Sequence, residues 1–232
     1  MILSQGLILI LSLAPCALIA VLATREHRKT MTRRHRLLDE AGAVLKTPRF
    51  GLSADHHPVV SGVLEDGTQV TLDVVTDTMV TRRLPQLWLR VTLQDGVPQV
   101  WPAIGVLARP TGSEYYSTVH GLNEWLTPPT TQVPMLMRGS ADARNDQWQP
   151  LRQGLAGLVA DPRLKEAVVT PRMIRVVMQA AEGERSAHLL LRQARFAVDT
   201  VPQPTIRQAL ALAMELRSLA GSAARRAVVG VS

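Results

Sequence analysis

The stretch VVSGVLEDGTQVTLDVV, Val59 to Val75, decides the fold class. Two runs rich in Val and Leu flank Glu65-Asp66-Gly67. Asp-Gly between apolar runs is a strong short-range hairpin signal, because glycine adopts the positive φ that tight turns demand. In the second run Val70, Leu72 and Val74 alternate with Gln69, Thr71 and Asp73, so one face is buried and the other wet. That pattern belongs to antiparallel strands with a single core-facing side.

Downstream, QLWLRVTL repeats the alternation, with Leu87, Leu89, Val91 and Leu93 on one face and Trp88, Arg90 and Thr92 on the other. Gln94-Asp95-Gly96 forms the next turn, and a fourth strand is predicted from Val100 to Leu107. These four strands read as an antiparallel meander. Beyond Pro110 helices take over. One is predicted from a Ser117 cap to Leu126, ended by Pro128-Pro129, and others over 147–159 and 184–198. Strands are predicted over 132–137, 167–170 and 173–179, the last two joined at Pro171. A final helix capped by Thr205 carries the apolar stripe Ile206, Leu210, Ala213 and Leu216. The soluble part is therefore α+β.

Upstream lies a different composition. Ile2 to Thr24 holds no charged side chain, and at about 1.5 Å per residue the run matches the roughly 30 Å hydrocarbon thickness of a bilayer. A cleaved signal peptide wants basic residues before a shorter apolar core, and none precede it here. A lipoprotein signal would put a small residue before Cys16, where Pro15 stands. The expectation is an uncleaved transmembrane helix. It is followed by ATREHRKTMTRRHR, in which Arg25, Arg28, Lys29, Arg33, Arg34 and Arg36 face a single acid, Glu26. Cations at one membrane end hold that end in the cytoplasm. The reading is an inner-membrane protein with its N-terminus outside and its soluble domain cytoplasmic. The same six cations would touch anionic headgroups. The expected organisation is an anchor over 1–24, a basic juxtamembrane stalk over 25–47, an α+β domain over 48–220 and a flexible tail over 221–232.

The net charge of +7 and pI near 10.6 resemble a nucleic-acid binder until the charge is located. Residues 25–49 hold eight of the 26 basic and three of the 19 acidic residues, leaving 18 against 16 for everything else. The body is nearly neutral, so no nucleic acid is expected as a partner. Cys16, the only cysteine, falls in the apolar run, which excludes disulfides, cysteine zinc sites and a cysteine nucleophile from the domain.

No phosphate loop, dinucleotide fingerprint or nucleophile elbow occurs. His56-His57 beside Asp55, and His120 with Glu124 four residues on, lack any metal-ligand spacing signature, so neither metal nor cofactor is expected. The most site-like text is RPTGSEYYSTVHGLNEWL, which follows a predicted strand and gathers Arg109, Glu114, Tyr115, Tyr116 and Trp125. Those five are the candidate partner-binding residues. The competing reading makes them structural, with Tyr and Trp plugging the sheet edge.

The layout, with DGTQVTLDVV, RRLPQLWLRVTL and LARPTGSE as its signature words, resembles single-pass inner-membrane proteins of proteobacteria. The resemblance is one of organisation and implies no active-site residues. The expected function is a membrane-anchored, non-enzymatic accessory or assembly subunit, binding a protein partner or a larger membrane complex. The alternative is a membrane-bound enzyme working from the 109–125 segment.

Overall fold

The computed structural model describes residues 2–78, 83–185 and 194–229, with side chains from residue 17 to residue 228. The Asp-Gly hairpin forms as its residues dictate. Strands β2 (Pro58–Val63) and β3 (Gln69–Asp77) pair antiparallel with Val63 opposite Gln69, and Gly67 sits at φ +87° in the turn between them. Strand β4 (Gln86–Gln94) pairs with β3 along its whole length, and its alternation places Leu87, Leu89, Val91 and Leu93 in the core.

The four-strand meander exists, but its fourth member is β1 (Lys46–Leu52) and not the segment after Gly96. β1 is exposed along its whole length at the edge of the sheet. Its Lys46, Pro48 and Arg49 are residues that discourage another chain from pairing there. The strand predicted from Val100 is β5 (Ile104–Ala108), which lies far from β4. With β6 (Glu124–Trp125), β7 (Met135–Gly139), β8 (Leu164–Thr170) and β9 (Met173–Glu182) the sheet has nine strands, ordered β1-β2-β3-β4-β9-β8-β5-β7-β6. Every pairing is antiparallel. The β8–β9 hairpin, tight at Pro171-Arg172, inserts its two strands between β4 and β5 and joins the halves into one sheet.

One face of this sheet carries the main core. Helix α1 spans Ile2–His35, α2 spans Gln149–Leu158 and α3 spans Gln203–Val229. α3 crosses β9 and β4, and its stripe Ile206, Leu210, Ala213 and Leu216 is buried there. The stripe serves the chain's own core. The helix also continues past Gly221 and buries Ala223 and Ala224, so the residues expected as a tail are its last turns through Val229. Its start is not capped by Thr205. Glu40 receives the Gln203 N–H at 2.5 Å and the Thr200 hydroxyl at 2.9 Å, a carboxylate placed at a helix N-terminus from a distant part of the chain.

Glu40 belongs to a 3₁₀ segment, Arg36–Ala43, that continues from α1 and buries Leu37, Leu38 and Ala41. The basic stalk therefore ends inside the domain core. The uncharged run and the basic segment form a single helix of 34 residues. Among the described residues no helix is long and apolar enough to cross a membrane. The side chains of residues 1–16, where the expected span begins, lie outside them.

The predicted helix over 117–126 is absent. A single 3₁₀ turn, Val119–Gly121, is followed by the short strand β6, because β7 offers Glu124 and Trp125 a pairing edge at Gly139 and Arg138. Gly139 itself is sterically required. A Cβ there would stand 2.7 Å from the Ala103 carbonyl oxygen and 2.8 Å from the Ala143 Cβ. Most of the helix predicted over 184–198 lies outside the described residues, although Phe196 forms an antiparallel bridge with Gly183.

Candidate functional site

The loop that leaves β5 at Arg109 is held by two charged anchors. Arg109 takes φ +46°, an unusual backbone for a side chain with a Cβ, and this turns its guanidinium toward the end of α2. There it donates to the carbonyls of Val159 (3.3 Å), Asp161 (3.2 Å), Pro162 (2.9 Å) and Leu164. It thus satisfies carbonyls of the turn that links α2 to β8.

The second anchor is a buried ion pair. A bulge in β8 between Leu164 and Glu166 re-aims Lys165, whose ammonium donates to Glu114 at 2.7 Å and to the carbonyls of Ala108 and Arg109. Glu114 also accepts the Thr111 N–H and hydroxyl and the Gly112 N–H, all within 2.9 Å. Burial alone would raise the Glu114 carboxyl pKa, but the bonds from Lys165 and Thr111 outweigh it and hold the group down at about 2. The neighbouring Glu166 is fully buried and accepts the Thr118 N–H and hydroxyl at 3.1 and 3.0 Å. Burial pushes its carboxyl upward despite bonds from Ser117 and Thr118.

Between these anchors the loop presents its aromatics over the sheet face opposite the helices. Tyr116 is buried and tilted against Trp88, with ring centroids 6.2 Å apart. Tyr115 stands edge-on to Tyr116 at 5.4 Å, and its hydroxyl donates to the Thr76 carbonyl at 3.1 Å. Yet 64% of Tyr115 is exposed. The hydroxyl of Tyr116 and the indole N–H of Trp88 are buried with no hydrogen-bond partner among the described residues.

The five candidate residues thus divide. Arg109, Glu114, Tyr115 and Tyr116 form one unit; Trp125 stands elsewhere. It lies on β6 at the far edge of the sheet under the Arg138 guanidinium, 4.9 Å from the ring centroid. Six strand spacings, roughly 29 Å, separate β6 from the β3 strand that Tyr115 touches. Neither Lys165 nor Glu166 was singled out in the sequence. The signal available was a Lys-Glu pair inside LKEAVVT, an otherwise apolar strand.

The basic segment has its own geometry. Where α1 passes the end of β3, a cavity of about 450 Å³ opens between the helix, the hairpin end near His57 and Thr76, and residues 194–198. Among the described residues Lys29, Arg33 and Arg34 line it from α1 and Arg195 from the far wall, against one acid, Glu26. Arg33 lies 3.5 Å from Asp199, and Arg195 lies 3.7 Å from Glu184. Arg25, Arg28 and Arg36 do not line the cavity, and Arg36 pairs with Asp39. His57, largely buried, forms a 3.2 Å hydrogen bond between its Nε2 and the Thr76 hydroxyl. Burial, and then the Arg34 charge, lower its pKa. Among the described residues no group of three or more His, Cys, Asp or Glu stands close enough to hold a metal.

No family model and no curated protein matches the chain. Among solved structures it is similar to the mycobacterial trehalose monomycolate transport factor A, TtfA. The identity is 11% and the TM-score 0.43, over 82% of this chain and 93% of that one. A likeness of that size says nothing about what this chain does.

Proposed function

We propose that the protein is a membrane-tethered, non-enzymatic accessory or assembly subunit whose domain, on the cytoplasmic side of the inner membrane, binds a protein partner. The tether is the run Ile2–Thr24, and Arg25, Arg28, Lys29, Arg33, Arg34 and Arg36 orient it. The observation that carries partner binding is Tyr115. It is largely exposed, yet held by Tyr116, by the Thr76 carbonyl and by a loop pinned at Arg109 and Glu114. An exposed aromatic already fixed in place loses little side-chain entropy when a partner covers it, which is the usual character of a binding hot spot. Glu114 is engaged by Lys165, Glu124 by Arg144 and the adjoining Glu166 by Thr118, which favours this reading over an enzyme acting from 109–125.

The test places a photo-crosslinking residue at position 115 of the full-length protein in cells, and another at the exposed Gln69 on β3 as a control. One discrete crosslinked species from position 115 and none from 69 would support the reading. Turnover by the purified protein, abolished by Tyr115→Ala without loss of thermal stability, would replace it with the enzyme.

A further inference from the structure

The cavity beside α1 combines features of one ligand class. Glu26, Lys29, Thr30 and Arg33 recur at helical spacing, so one face of α1 is turned into it, with Leu37 of the following 3₁₀ segment below them. Two of its cations, Lys29 and Arg34, have no carboxylate within ion-pairing distance among the described residues, whereas Arg33 and Arg195 each have one. Part of the wall is apolar, formed by Leu37, Ala194, Phe196 and Val198, and part is polar, formed by His57, Thr76 and Thr78. Four residues before Glu26 on the same helix face comes Leu22, and three before that Ile19; both are exposed and apolar. A charged floor thus runs into a greasy track along the helix. From Thr24, the end of the proposed tether, Lys29 lies roughly 8 Å and Arg34 roughly 15 Å along the axis, at about 1.5 Å per residue. That is at or just beyond the headgroup layer, which is on the order of 5–7 Å thick on each side.

We infer that this cavity binds a phosphate-bearing anionic amphiphile, its phosphate held by the lining cations, Lys29 and Arg34 among them, and its apolar part against Phe196 and toward Leu22. Lys and Arg suit phosphate as point charge and as forked donor, respectively, and the apolar walls demand a ligand that is more than a free anion. Delivery from the bilayer rests on the tether proposed above, whereas the cavity itself does not.

The experiment uses the full-length protein in mild detergent and reads retained lipid by native mass spectrometry. The probes are short-chain phosphatidylglycerol, short-chain phosphatidylcholine and inorganic phosphate. The expected result is one phosphatidylglycerol per chain, bound at least tenfold more tightly than phosphatidylcholine. Lys29→Gln with Arg34→Gln should weaken it at least tenfold at unchanged melting temperature. Arg25→Gln with Arg28→Gln removes the same charge outside the cavity and should change it less than twofold. Phe196→Ala should weaken phosphatidylglycerol and leave phosphate unaffected. Equal weakening by both double variants would show mere surface attraction and overturn the site. Equal affinity for the two lipids, which both carry a phosphate diester, would overturn the selectivity for an anionic headgroup, and inorganic phosphate binding as tightly as phosphatidylglycerol would overturn the amphiphile. Should the tether fail in cells while the lipid selectivity persists, the cavity stands and only the source of its ligand changes.

Discussion

Glu114 and Lys165 are 51 residues apart and nearly free of solvent, and they decide how the 109–123 loop lies. A buried pair of this kind gives little net stability against an apolar replacement of both partners, yet removing one partner strands a charge. Lys165→Met should therefore cost about 3–5 kcal/mol in a denaturant titration. Glu114→Gln with Lys165→Met together should recover much of that, since neither charge is left. The carboxyl also writes a pH signature. Its folded pKa is depressed to about 2 from an ordinary value of 4.5, so its stabilisation is present above pH 4.5 and is lost as pH falls toward 2. The linked stability is on the order of 3 kcal/mol. Melting temperature measured across that window should fall steeply for the parent and more shallowly for Glu114→Gln.

At the scale of elements, the start of α3 is made by tertiary contact. Thr205 looks like a cap in the sequence, but its own N–H bonds the Pro202 carbonyl while Glu40 reaches across to Gln203 and Thr200. Glu40→Ala should cost about 1–2 kcal/mol, the range of a lost helix cap, whereas Thr205→Ala should change stability by less than about 0.5 kcal/mol. Thermal melts of the two variants side by side decide between the local and the distant cap. Glu40 also ties the segment following α1 to the last helix, so this one carboxylate couples the end of the basic region to the core.

For the whole molecule, the tether gives the sharpest expectation. A reporter active only in the cytoplasm, fused after Ser232, should be active. Neutralising Arg25, Arg28, Lys29, Arg33, Arg34 and Arg36 together should give mixed orientation, because those charges set it. Protease protection in inverted and right-side-out vesicles reads the same quantity independently. A chain cleaved near Ala23 and released from the membrane would end the tether reading.

Much of the fold was legible because period-2 patterns and turn residues are local properties. The Asp66-Gly67 hairpin, the alternating faces of β3 and β4, the Pro171 turn, α2 and the stripe of α3 all follow from neighbours in sequence. What sequence by itself determined was thus the class, antiparallel sheet with helices, and the concentration of charge in one short segment. Strand order was decided only in the tertiary structure. β5 could pair wherever an edge was free, and insertion of β8 and β9 beside β4 sent it three places from β4, where a simple meander would have put it next in line. The failed helix at Ser117 has the same cause, since Glu166 captured the Thr118 N–H and β7 captured Glu124 and Trp125. Lys165 joined the loop through a bulge, which no spacing announces. The cavity beside α1 needed four chain segments, around residues 30, 57, 77 and 196, to meet. Local preference is settled within a few residues, whereas pairing partners, caps and cavities depend on which distant groups reach a free donor, acceptor or edge.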